Sequence, residues 1–204
     1  EYTSVSIDFD ASGGFKLITR KHQRIKVLNE EGLDWGDVEM IYYNSNILRD
    51  NISGIDVSTY NLVNGKVVET KMPSKYVFRE DFTENYKKLS FSAQEVRVGS
   101  VIEIRYTVSS NIYWEIDDIF LQKDIPVNLS ECIIRLPEMF EFNKKQLGFN
   151  TVKYEYAAES GSLPLGGGSV YSYTVNVDKY SAADIPAFKE EPYLYNADQY
   201  YTAL

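Results

Sequence analysis

The sequence predicts an all-β protein: an antiparallel β-sandwich, immunoglobulin-like or larger, with little helix. Three observations carry this. Segment after segment alternates apolar and polar residues with a period of two, the signature of half-buried strands. Turn residues of the hairpin kind stand between them, most clearly Asn64-Gly65. The chain also holds 17 Tyr and 10 Phe, and flat rings cover a pleated, half-buried surface well. At 204 residues, 44% of them hydrophobic and 25% charged, the composition is that of a packed fold rather than a disordered one.

The elements follow in order. "SVSIDF" (4–9) sets Val5, Ile7 and Phe9 on one face. In "RKHQRIK" (20–26), Arg20, His22, Arg24 and Lys26 alternate, which reads as a strand with a solvated basic face. "EEGLDWGD" (30–37) is a break. "NLVNGKVVET" (61–70) is a hairpin, because Asn-Gly tolerates the positive φ that a type I′ turn requires at both central positions. "REDFTENYKK" (79–88) predicts a helical turn, with charges outside and Phe82 and Tyr86 at i, i+4. After a second break at "VRVGS" (96–100), "SVIEIRYTV" (100–108) places Ile102, Ile104, Tyr106 and Val108 opposite Glu103, Arg105 and Thr107. "NTVKYEY" (150–156) and "VYSYTVNV" (170–177) alternate likewise, and the Gly-rich "SGSLPLGGGS" (160–169) between them reads as a mobile hairpin tip. No repeat at a fixed period is visible. Many short strands with little helix between them predict antiparallel sheets packed face to face, not βαβ units.

Charge excludes one class of partner. The net charge of −9, from 21 basic and 30 acidic residues, repels phosphate backbones, and no Lys/Arg stripe overrides it. The single cysteine, Cys132, excludes an internal disulfide and a multi-cysteine metal cage. No apolar run approaches the roughly 18 residues of a membrane-spanning helix. The opening "EYTSVSIDFD" reads as a trimmed chain, and sequons at Asn51 and Asn128 matter only in a eukaryotic secretory pathway.

The candidate chemistry is sparse. A thiolate nucleophile needs an imidazole within hydrogen-bond reach. Cys132 alternates onto an apolar face with Ile134 and Leu136, whereas His22 shares the basic face, so the two side chains point into different media. Paired carboxylates at Glu115, Asp117 and Asp118, and at Glu190 and Glu191, read as loop solvation, and the regular calcium loop is absent. The Gly-rich segment lacks the following helix that would organise its N–H groups around a phosphate. No catalytic residue, metal or cofactor is predicted. Trp35, Tyr113 and Trp114 fall in or beside loops, where rings either plug the ends of a core or stack on a glycan or a protein partner.

Three stretches in order carry a resemblance: "ITRKHQRIKVLNEEG" (18–32), "GSVIEIRYTVSS" (99–110) followed by "DDIFLQKDIPVNLSECIIRLPE" (117–138), and "DIPAFKEEPYLYN" (184–196). Together they resemble a family of uncharacterised β-domains that sit directly N-terminal to transglutaminase-like domains in exported proteins of Gram-negative bacteria. The resemblance implies a β-sandwich domain over residues 1–195 and a junction beginning at 196–204, where "QYYTAL" reads as an interrupted element. It further implies a non-catalytic module, periplasmic or cell-surface, that positions or shields a downstream transglutaminase-like peptidase or acyl-transfer domain of the same polypeptide. Pro186, Phe188, Pro192, Tyr193 and Tyr195 are the junction candidates, since rigid prolines beside aromatics suit a fixed interdomain contact. The alternative is a surface module that binds glycan or protein through Trp35, Tyr113 and Trp114.

Overall fold

The computed structural model describes residues 1–10, 14–164, 168–189 and 199–204. The strands are β1 (Tyr2–Asp10), β2 (Gly14–Lys26), β3 (Asp37–Tyr43), β4 (Asp50–Val63), β5 (Lys66–Lys71), β6 (Phe78–Thr83), β7 (Tyr86–Ser92), β8 (Val101–Ser110), β9 (Val127–Pro137), β10 (Lys153–Pro164) and β11 (Val170–Ile185). Among the described residues the helical pieces include the short 3-10 turns Glu30–Gly36 and Ser74–Tyr76. The fold is all-β. No helix of the described residues is long and apolar enough to cross a membrane. The chain forms two compact units: unit one is Glu1–Leu17 with Tyr113–Leu204, and unit two is Ile18–Ile112.

Unit two is a two-layered sandwich. One sheet has the order β2-β8-β4-β5 and the other β3-β7-β6. Period-2 alternation turns Ile102 and Ile104 of β8 and Val57 of β4 inward, where they meet Leu89 and Phe91 of β7 and Tyr42 of β3 in one buried cluster. The β4–β5 hairpin closes at Val63↔Lys66, with Asn64 at φ 50° and Gly65 at φ 75°, the backbone that the Asn-Gly pair predicts.

One prediction fails here. Residues 79–88 are not a helical turn but a hairpin of β6 and β7 turning at Glu84-Asn85, an antiparallel pair in which Glu80 faces Lys88 and Asp81 faces Lys87. The Lys87 ammonium lies 3.3 Å from Asp81. Opposite charges directly across a strand pair stabilise a sheet much as i, i+4 pairs stabilise a helix. The deciding term is burial: Leu89 and Phe91, two apart on β7, need the core face of a strand.

Unit one carries the strand order β10-β11-β9-β1, followed by the start of β2. β9–β11 and β10–β11 are antiparallel, but β1 runs parallel to β9, from Tyr2↔Glu131 to Ser6↔Arg135, so the sheet is mixed. No tight turn joins β1 to β9, so nothing local forces them antiparallel. Ser160–Pro164, expected in a loose tip, are paired in β10 as far as Pro164↔Val170; residues 165–167 lie outside the described residues. One face of this sheet buries Val5, Ile7, Cys132, Ile134, Leu136 and Ile185. Irregular chain covers it, through Ile119, Leu121, Phe140, Phe142 and Leu204. The last residues are part of this cover: Leu121 N–H donates to Thr202 O (2.8 Å), and Ile119 and Leu204 exchange two backbone bonds of 3.1 Å.

Candidate functional site

The most concentrated electrostatics lie in unit two, on the face of the larger sheet away from its core. Glu103 of β8 is only 4% exposed. Its Oε1 accepts from Arg24 Nη2 (2.9 Å) and Arg105 Nη2 (2.7 Å) and lies 2.7 Å from His22 Nε2; its Oε2 accepts from Tyr60 Oη at 3.1 Å. The strand order brings these groups together, since β2 and β4 flank β8. Register places Ser58 opposite Glu103 and Asp56 opposite Arg105, and the Arg105 guanidinium reaches Asp56 at 3.5 Å. On β5, Glu69 extends the network by accepting from Ser58 Oγ at 2.8 Å and lying 3.2 Å from Tyr60 Oη.

Burial alone pushes the Glu103 carboxyl up. Hydrogen bonds from Arg24, His22 and Tyr60, with the charge of Arg105, outweigh it and hold the carboxyl at about 2. Glu103 is therefore a permanent anion at neutral pH, with no proton to give and little basicity to take one. Such a group orients and neutralises its neighbours; it does not serve as a general acid.

Unit one holds a second buried carboxylate. Asp178 of β11 is covered almost completely, with Oδ1 accepting from Tyr154 Oη at 2.6 Å and Oδ2 from Lys144 Nζ. The hydrogen bond to Asp178, then burial, then the charge of Asp178 push the Tyr154 phenol up to about 12. A groove of about 410 Å³ opens beside this pair, lined by Phe140, Phe142, Lys144 and Asn176. Lys144 straps the irregular segment across the sheet.

His22 was expected in solvent, and the structure corrects this: it is half-buried against Glu103, because a carboxylate covered by basic side chains draws the imidazole inward. Cys132 is fully buried in the core of unit one, and His22 belongs to unit two. Glu115, Asp117 and Asp118 are exposed. Tyr113 packs on the unit-one core and meets Phe15, Phe140 and Trp114 edge to face, while Trp114 is 55% exposed. Trp35 is half-buried in unit two. Pro186 and Phe188 are tied into unit one: the Pro186 carbonyl accepts from Gln122 Nε2 at 3.0 Å, and Phe188 N–H donates to Lys123 O at 2.8 Å. Pro192, Tyr193 and Tyr195 lie outside the described residues, as do Glu190 and Glu191.

Sequence reading missed Glu103 and Asp178, each of which alternates onto a face that looks solvated. The available signal was the pairing of an acid in "VIEIRY" with the basic strand at 20–26.

A family model for a domain of unknown function with a solved structure, DUF3857, matches residues 16–185. The chain belongs to the DUF3857 family. No curated protein matches it in sequence. Among solved structures, this DUF3857 chain is similar to a Parabacteroides distasonis ATCC 8503 protein described as a "putative protease", with a TM-score of 0.65 and 13% identity. The match covers 99% of this chain and 38% of that one, so the chain spans well under half of its structural relative. At this identity the likeness is one of fold.

Proposed function

We propose that this DUF3857 chain is a non-catalytic module of a larger exported protein, placed N-terminal to a transglutaminase-like peptidase or acyl-transfer domain that it positions or shields. The observation that carries the reading is the coverage: nearly the whole chain corresponds to 38% of a larger protein described as a protease. The chemistry agrees with it. Glu103 is locked as an anion by its own neighbours, and the Cys132 thiol is buried. The junction candidates Pro186 and Phe188 are anchored on unit one, which gives a fixed base from which Pro192, Tyr193 and Tyr195 would meet a neighbour.

The test compares the module with the longer natural protein that contains it. Positioning predicts a higher melting temperature for the module inside the longer protein, and joint tumbling of the two parts by NMR relaxation. Identical melting with independent tumbling sinks the reading. Binding of glycan or protein through the three loop aromatics is the second reading. It draws on the exposed Trp114 ring, and Trp114→Ala with unchanged binding removes it.

A further inference from the structure

The outer face of the small sheet in unit two carries a feature that neither reading uses. Because Leu89 and Phe91 of β7 point into the core, period-2 alternation turns Ser90 and Ser92 outward. Pairing then aligns Phe78 of β6, Ser90 and Glu39 of β3 in one cross-strand row, with Ser92 and Asp37 in the next. These side chains, with Tyr76 and Gln94, line a groove of about 380 Å³. That lies within the roughly 300–1,000 Å³ of small-molecule sites.

The rings are not spare core. The layer beneath is complete, with Leu89 and Phe91 fully buried, yet Phe78 is 61% and Tyr76 37% exposed on or beside an edge strand. Two of the polar groups around them are already held. Lys88 Nζ fixes Glu39 at 2.6 Å, and Gln94 Nε2 donates to Ser92 O at 2.9 Å, which leaves the amide oxygen as an acceptor. Exposed rings beside carboxylates, hydroxyls and an amide make a surface rich in acceptors with an apolar floor.

We infer that this groove binds a neutral carbohydrate. A pyranose has one face of polarised C–H groups, which the negative face of an aromatic ring attracts, and a belt of O–H donors, which Asp37, Glu39, Ser90 and the Gln94 oxygen accept. Glu39 and Gln94, held in advance by Lys88 and by the Ser92 carbonyl, lower the entropy lost on binding. A cationic peptide fits less well. Glu39 is already neutralised by Lys88, and Tyr76 already has Lys75 Nζ 5.1 Å from its ring centroid. The inference does not depend on the positioning role, and it uses a different surface from Trp114.

The test is an NMR or calorimetric titration of the full chain with cellohexaose, maltohexaose and chitotetraose separately, and with an oligolysine peptide as the rival. At least one oligosaccharide is expected to bind and to shift the amides of β3, β6 and β7. Phe78→Ala is expected to weaken it about tenfold, Tyr76→Ala to weaken it too, and Trp114→Ala to leave it unchanged. Phe78 and Tyr76 are exposed, so both variants are expected to keep the parent melting temperature. Silence from all three sugars overturns the inference. So does undiminished binding to Phe78→Ala, or preference for oligolysine.

Discussion

Phe188 lies face to face with Tyr201, their ring centroids 3.9 Å apart and their planes 28° from parallel. Twelve residues of chain separate them, yet both belong to the cover of unit one. The buried Gln122 amide makes the same connection in polar terms. Its Nε2 donates to the Pro186 carbonyl at 3.0 Å, and its Oε1 accepts from Thr202 N–H at 3.1 Å. The segment leaving β11 and the last residues of the chain are thus fastened to one side chain.

Shortening the chain to end at Ile185, where the family match ends, is therefore expected to destabilise unit one. Thr202 and Ala203 are fully buried, and the bonds from Ile119, Leu121 and Leu147 to residues 202–204 go with them. The loss is expected to be about 3–5 kcal/mol, from stripped apolar cover and stranded backbone groups together. Urea unfolding followed by tyrosine fluorescence measures it. An unchanged midpoint for the shorter chain would show the terminal contacts to be incidental.

Gly148 makes the same prediction by a point substitution. Its φ is +78°, and a Cβ there would stand 2.6 Å from the backbone N and Cα of Thr202. The obstacle is backbone, which cannot rotate aside as a side chain does. Gly148→Ala combines left-handed strain with a clash and is expected to cost about 2–4 kcal/mol. Gly65→Ala, equally left-handed but with open space around the added carbon, is expected to cost less. If the two variants melt together, close approach to Thr202 is not the reason for glycine at 148.

The contrast between what the sequence predicts and what it hides follows from range. Ile102 and Ile104, the Asn64-Gly65 turn and the buried Cys132 are set by period-2 pattern and local turn chemistry, and all are legible. The hairpin over 79–88 is not, because the Phe82–Tyr86 spacing also fits one turn of a helix, and only the burial of Leu89 and Phe91 and the pairing of β7 with β3 decide for a strand. The burial of Glu103 depends on β2 and β4 lying on either side of β8, which alternation within one strand cannot reveal. The cover of unit one by residues 199–204 is equally non-local.

Glu103 gives a pH prediction whose sign follows from its depressed carboxyl. The folded value of about 2 lies below the ordinary 4.5, so its stabilisation is complete above the ordinary value and is lost as pH falls from about 5 towards 2. The Arg24 and Arg105 side chains that hold it are themselves open to solvent, so the acid-labile part is on the order of 1–2 kcal/mol. Glu103→Gln is expected to destabilise unit two by about 3 kcal/mol at neutral pH, since Arg24, Arg105 and His22 lose their shared anion. The same variant should flatten the acid limb of the stability profile. A variant whose acid limb matches the parent's would assign that limb to other carboxylates.

Cys132 is paired with Thr3 on β1 and Tyr180 on β11, inside the core of unit one. Its thiol is expected to resist an aromatic disulfide reagent in the native protein and to react fully once urea unfolds the chain. Cys132→Ala removes one buried sulfur and is expected to cost about 1–2 kcal/mol. Fast labelling under native conditions, at a rate independent of urea below the transition, would place the thiol outside the core.

Tyr154 tests the second buried carboxylate through a proton that can be seen. The hydrogen bond to Asp178 holds the phenol at about 12, above its ordinary value of 10. The folded state therefore keeps this proton more tightly than the unfolded state, and the associated stabilisation, present below pH 10, is lost as pH rises towards 12. Alkaline titration of phenolate absorbance should show one tyrosine fewer ionising near pH 10 in the parent than in Asp178→Asn, where the anion that repels phenolate is gone. Tyr154→Phe should remove the late-titrating phenol and leave the remaining curve in place. An Asp178→Asn curve superimposable on the parent's would mean that Lys144 alone satisfies Asp178, with Tyr154 only a neighbour.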